Sequence, residues 1–314
     1  MAELAPGLGE WLDKYNLAVA AWSAKGFVLT PEYARDGMAI LTRTMITDIP
    51  KLPAVIDESI EGSGPSVPVR VYHPEPDAAL PVLIYLHGGG HMTGSVAVYD
   101  PICRKIALAT RRVVVSVEYR LAPEHPYPAG IADARTVVEG CAELLVRLGL
   151  NFGPGLALAG DSAGGAMSAT LAHAPQDSVG PLVTHLILIY PGLDYTLSHP
   201  SVKELATGYL LEKDKIRWYF DHYFSVGEDR RAASPLFMPV RPGFPRTLLV
   251  TAGFCPLRDE GLAYMEKLQE NGVVVRHLFF DDMIHAFLNL ENLVPESCRR
   301  VYAAMAEFLD APPA

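Results

Sequence analysis

Only four cysteines occur in the 314 residues, at 103, 141, 255 and 298, and no two of them form a C-x-x-C pair. Cys103, Cys141 and Cys298 fall in helical patterns, so neither a zinc site nor a disulfide framework is indicated and a reducing compartment is expected. Runs of lysine or arginine are also missing. With 26 Lys and Arg against 36 Asp and Glu the formal net charge is -10, which argues against a nucleic-acid groove or a face for an anionic membrane. No apolar run approaches the roughly 18 to 20 residues a membrane helix needs, and the acidic start MAELAPGLGE has no apolar signal core. A cytoplasmic protein is expected.

What is present is a repeating alternation. PVLIYL from 81, VVVSVEY from 113, LALAG from 156, HLILIYP from 185, TLLVTAG from 247 and VVVRHLFF from 273 are short runs rich in Val, Ile and Leu. Runs apolar on both faces predict strands covered on both sides. Between them, Ile131, Ala134, Val138, Cys141, Leu145 and Leu148 recur every three or four residues, the core-facing stripe of a helix. Strand followed by helix, repeated, predicts an α/β fold with a mostly parallel sheet and helices on both faces.

Two stretches break the rhythm. Residues 1–50 look helical, with Trp11, Tyr15, Val19 and Trp22 on one face, and residues 196–235 carry the aromatic helical segment EKDKIRWYFDHYF. Both are expected to form a helical cap over a core made of residues 51–195 and 236–314. The stretch 49–68, rich in Pro and Gly, should hold a connecting loop and an outer strand.

GDSAGG at 160–165 follows the strand LALAG and precedes a helical pattern, so a G-x-S-x-G sits at a strand-to-helix turn. Glycines two positions either side of the serine permit a sharp turn that lifts the Ser162 hydroxyl above the sheet and frees backbone N–H groups at the helix start. HGGG at 87–90 directly follows PVLIYL. Its adjacent glycines let two backbone N–H groups approach a substrate oxygen, with the N–H of Ala163 as a third donor. His285, in DDMIHAFLNL just past the last predicted strand, is placed to act as general base. Loops at the carboxyl ends of parallel strands converge, so 87–90, 162 and 285 can meet.

With these motifs the sequence resembles the hormone-sensitive-lipase-like bacterial esterases (family IV) of the α/β-hydrolases. HGGG at 87, VEYRLAPEHPYPA at 117–129, GDSAGG at 160, YPGLD at 190, PLRDEG at 256 and MIHAF at 283 carry the resemblance, which covers residue 60 to the C-terminus. It implies the α/β-hydrolase fold with a helical cap and a carboxylesterase of short-chain acyl esters, without metal or cofactor. By the same resemblance Ser162 is the nucleophile, His285 the general base, and Gly88, Gly89 and Ala163 the oxyanion hole. Glu118 and the segment 120–128 resemble a brace for the floor of the site.

One position departs from the family. Where its pattern has the aspartate that orients the histidine, this chain has Cys255. A free thiol has a pKa of about 8.5 and is a weak acceptor, a poor substitute for a carboxylate. Asp194, Asp259, Glu260, Asp281 and Asp282 are the nearby carboxylates that could take the role, and an unreplaced acid is the favoured expectation. Trp22, Phe27 and Trp218, with Tyr219, Phe220 and Tyr223, are candidate walls of an acyl pocket. The expected partner is a small-molecule ester, with no nucleic acid and no membrane; a homodimer is left open. A non-catalytic binder on the same scaffold is the alternative, since fold does not dictate function.

Overall fold

The computed structural model describes residues 3–174 and 183–312. Among these, eight strands form one sheet in the order β1-β2-β4-β3-β5-β6-β7-β8. The strands are β1 (Ala54–Ile60), β2 (Val67–His73), β3 (Leu80–Leu86), β4 (Val113–Val117), β5 (Phe152–Asp161), β6 (Val183–Ile189), β7 (Arg246–Phe254) and β8 (Val275–Ile284). From β4 to β8 every pairing is parallel, while β1 and β2 add an antiparallel edge. The stretch 49–68 supplies β1 as its outer strand, and β2 begins at its end.

Successive side chains of a strand point to opposite faces, and the sheet uses both. Leu83 and Tyr85 of β3 and Ile187 and Ile189 of β6 pack on one side, with Ile102 and Ile106 of α3 (Val96–Thr110) and Val301 of α10 (Pro295–Asp310). Val82, Ile84, Leu186 and Leu188 pack on the other, with Val138 of α4 (Ala129–Arg147), Met167 of α5 (Ala163–His173) and Leu268 of α9 (Arg258–Glu270). That two-sided burial is why the strands read as continuous apolar runs.

The segments outside the alternation are helical. α1 (Leu8–Ala24) and α2 (Pro31–Met45) come from the N-terminal stretch, and α6 (Pro200–Glu204), α7 (Lys213–Tyr223) and α8 (Arg230–Ala233) from 196–235. α2 starts where Thr30 accepts a hydrogen bond from the Tyr33 N–H, with Pro31 opening the helix at its fixed φ. In α1 only Leu8 and Leu12 are buried. No helix of the described residues is long and apolar enough to cross a membrane.

Candidate active site

Register brings the predicted residues together. Leu86 at the end of β3 pairs with Gly160 of β5, which sets the HGGG loop beside the serine turn. Phe254 of β7 pairs with Ile284 of β8, so the next residue of each strand, Cys255 and His285, emerge side by side. All four segments open at the carboxyl edge of the sheet.

Ser162 occupies the turn between β5 and α5 with φ 51° and ψ -118°. Such a conformation costs a non-glycine residue on the order of 1 to 3 kcal/mol and persists because its surroundings fix it. Here the Ser162 N–H donates to the Ile189 carbonyl at 2.9 Å, and the Ser162 carbonyl accepts from Ala166 at 3.0 Å and Gly192 at 3.2 Å. The flanking glycines are required by contact. A Cβ on Gly160 would stand 2.4 Å from the Gly164 backbone, and one on Gly164 would stand 1.9 Å from the Leu86 carbonyl oxygen.

The Ser162 hydroxyl meets Nε2 of His285 at 2.9 Å. Nδ1 of the same ring lies 3.2 Å from Sγ of Cys255, which also accepts from the Leu257 N–H at 3.4 Å. The ring is held on a third side by Tyr190, edge-on with centroids 4.9 Å apart. Burial, and after it the charge of Lys215, lowers the His285 pKa to about 3, so the imidazole is neutral. Burial pushes the Cys255 thiol well above its ordinary value, so it too is neutral.

None of the nearby carboxylates replaces the missing acid. The Asp194 oxygens accept from the backbone N–H and hydroxyl of both Thr196 and Ser198. Burial works against ionisation there, yet the bonds from Ser198 and Thr196 hold the Asp194 carboxyl below the usual range. Asp259 accepts from the Ser201 N–H and pairs with Arg258. Glu260 accepts from the N–H groups of Leu193 and Asp194, and burial raises its pKa well above the ordinary value. Among the described residues no side chain other than Cys255 bonds Nδ1 of His285, and Asp281 and Asp282 do not reach it.

The oxyanion loop requires one correction. The Gly88 N–H donates to Asp161 Oδ1 at 2.8 Å, so it is not free for a substrate oxygen. Asp161 is buried between the hydroxyls of Tyr85 and Tyr99, each at 2.9 Å, and burial raises its pKa to about 6. The free donors are the N–H groups of Gly89 and Gly90, which bond nothing among the described residues, and that of Ala163, the first residue of α5. Gly90 was not expected from the sequence. The signal for it was the aspartate beside Ser162, a buried carboxylate that needed a donor.

The expected pocket aromatics separate into two groups. Trp22 and Phe27 are 56% and 44% exposed, in contact with each other and, through Phe27, with Tyr33, so they do not wall a closed pocket. Residues 17–28, the end of α1 and the turn after it, are exposed. Tyr219 stands over the loop, where a Cβ on Gly90 would lie 2.6 Å from its ring, and Trp218 is its half-buried neighbour at 5.3 Å. Phe220 and Tyr223 are buried packing, against Tyr195 and His91 respectively. The segment 118–128 braces the loop: Ala122 N–H donates to the His91 carbonyl at 2.9 Å, and Glu118 caps α3 at Val96.

A family model described as alpha/beta hydrolase fold matches residues 83–289. Esterase LipI of Mycobacterium tuberculosis is 36% identical over 279 residues, covering 83% of this chain and 84% of its own length. Carboxylesterase NlhH of the same species is 38% identical over 78% of this chain and 79% of its own, and an ethyl acetate hydrolase of Pseudomonas putida is 33% identical over 74% and 75%. Among solved structures, a hyperthermophilic esterase from the archaeon Pyrobaculum calidifontis superposes with a TM-score of 0.85 at 31% identity, covering 99% of this chain and 100% of its own. An α/β-hydrolase enzyme from the metagenome of Lake Arreo gives a TM-score of 0.89 at 30% identity over 99% and 100%. The chain belongs to the α/β-hydrolase family, among its esterases, and is a carboxylic ester hydrolase.

Proposed function

We propose that the protein hydrolyses esters of short acyl groups through an acyl-Ser162 intermediate, at a rate limited by the thiol in the acid position. The observation that carries this is the 2.9 Å contact between Ser162 Oγ and His285 Nε2 at a strained turn beside the HGGG loop, whose Gly89 and Gly90 N–H groups bond nothing among the described residues. As Ser162 attacks the acyl carbon, His285 takes its proton, and the oxyanion that forms is met by the N–H groups of Gly89, Gly90 and Ala163. The imidazolium then protonates the departing alcohol. Water, deprotonated by the same nitrogen, releases the acid.

A short acyl group fits the ring of Tyr219 standing directly over the oxyanion loop, with α2 resting on the same loop from the N-terminal side. The two helical segments, 1–50 and 196–235, act in this reading as a cap that narrows the approach. The relative named ethyl acetate hydrolase points the same way. Four buried free cysteines suit the cytoplasm.

The test is labelling by a p-nitrophenyl alkylphosphonate. Stoichiometric labelling at Ser162 with release of nitrophenol supports the reading. No labelling, with ligand binding retained, would support a non-catalytic binder.

A further inference from the structure

Two peptide units supply the loop's oxyanion donors, and each is fixed through its carbonyl. The N–H of Gly89 belongs to the Gly88–Gly89 peptide, whose carbonyl faces His87 Nδ1 at 2.8 Å. The N–H of Gly90 belongs to the Gly89–Gly90 peptide, whose carbonyl accepts from Met92 N–H at 3.1 Å, Thr93 N–H at 2.9 Å and Thr93 Oγ1 at 2.9 Å. Because a peptide is planar, holding its oxygen aims its N–H on the opposite side.

The hydroxyl of Thr93 is the one side-chain donor on that carbonyl among the described residues, and both helical segments arrive beside it. It lies 3.1 Å from Sδ of Met38 in α2, and the ring of Tyr219 in α7 stands over the adjoining Gly90, where an added Cβ would lie 2.6 Å from it. α2 is anchored beside it by Arg35, whose Nε donates to the Met92 carbonyl at 2.9 Å while its guanidinium pairs with Glu124. Thr93 is 1% exposed. At Gly89 and Gly90 the backbone has φ +122° and +63°, so without these bonds the peptides have other orientations open to them.

We propose that Thr93 is a positioning residue for ester hydrolysis: its hydroxyl fixes the Gly89–Gly90 peptide, so the seating of both helical segments governs how well the oxyanion is held. The inference rests on reading this loop as an oxyanion hole. It concerns a residue that touches neither substrate nor triad.

The experiment compares Thr93→Val, which keeps the shape and removes the hydroxyl, with Thr93→Ser, which keeps the hydroxyl. Expected for Thr93→Val is a kcat lower by about 10- to 100-fold for p-nitrophenyl butyrate, at or below the loss seen when one oxyanion donor is removed outright, with KM within about threefold. Phosphonylation of Ser162, whose phosphoryl oxygen enters the same hole, should slow by a similar factor, and Thr93→Ser should restore both. A kcat unchanged in Thr93→Val, or lowered equally in Thr93→Ser, overturns the proposal, as does a change confined to KM. Crystal structures of the parent and Thr93→Val keep this separate from the functional reading. A Gly89–Gly90 peptide with the same orientation in both overturns the positioning role whether or not the parent turns over, whereas a parent inert to ester and phosphonate defeats the reading of the site. Should Thr93→Val fail to fold, Thr93→Ala carries the test: a kcat lower by about threefold or more at constant KM that Thr93→Ser does not share supports the role, and an unchanged kcat overturns it.

Discussion

Sγ of Cys255 stands 3.2 Å from Nδ1 of His285, on the far side of the ring from Ser162. A carboxylate there can only accept, which leaves Nδ1 protonated and Nε2 free to take the serine proton. A neutral thiol can also donate. If S–H donates to Nδ1, the proton moves to Nε2 and the ring faces Ser162 as a donor, the unproductive tautomer. Nor does the thiol offer a charge to stabilise the imidazolium that forms during the reaction.

Cys255→Asp is therefore expected to raise kcat by about 10² to 10⁴, the range implied by tautomer loss in serine-protease triads. Asp194→Asn should leave kcat within a few-fold and lower the unfolding midpoint, because the Asp194 oxygens already take the Thr196 and Ser198 donors. Steady-state kinetics on both variants and their combination check this. If Asp194→Asn alone removes activity, the acid has been replaced after all.

The pH dependence should move with the same substitution. A general base works only unprotonated, so activity is present above its folded-state pKa and lost as pH falls through it. Burial holds His285 at about 3, so kcat/KM of the parent should show no acid limb near the ordinary histidine value of about 6.5. In Cys255→Asp the new carboxylate favours the imidazolium and should shift that limb to higher pH. Rate profiles of the two proteins decide it; identical acid limbs would mean that position 255 has no electrical influence on the ring.

At the proposed nucleophile, Ser162→Ala and Ser162→Gly should both abolish turnover of a short aryl ester and phosphonate labelling. Their stabilities should differ. At φ 51° and ψ -118° alanine keeps the Cβ strain and glycine relieves it, so Ser162→Gly should melt at the higher temperature. Calorimetry of the pair tests this, and the reverse order would show that the turn is not strained.

Acetate and butyrate esters should be hydrolysed faster than long-chain esters, because Tyr219 stands over the loop at Gly90. A chain-length series of p-nitrophenyl esters measures it. Faster turnover of emulsified long-chain triglycerides would contradict the narrow approach.

Much of this was legible in the sequence, for a local reason. GDSAGG and HGGG each encode a backbone conformation within a few residues, and runs such as HLILIYP state that a strand is covered on both faces. That Cys255 stands at the acid position was legible only through the resemblance to the esterase family, whose pattern has an aspartate before PLRDEG. The assignment of Gly88 as a donor failed because motif spacing does not say which N–H is already taken; Asp161, 73 residues away, takes it. Trp22 and Phe27 failed as pocket walls because aromatic character does not tell a residue what it packs against.

By itself, then, the sequence determined the layered α/β core, the strained serine turn, the glycine loop and the histidine after the last strand, since each follows from patterning or from the steric demands of adjacent residues. Only the tertiary structure decided which groups face one another. The pairing of Phe254 with Ile284 sets Cys255 against His285, and the approach of α2 and α7 sets Met38 on Thr93 and Tyr219 over Gly90. Such contacts join segments far apart in the chain, and they are fixed by register and by the packing of the whole core, which no short stretch of sequence contains.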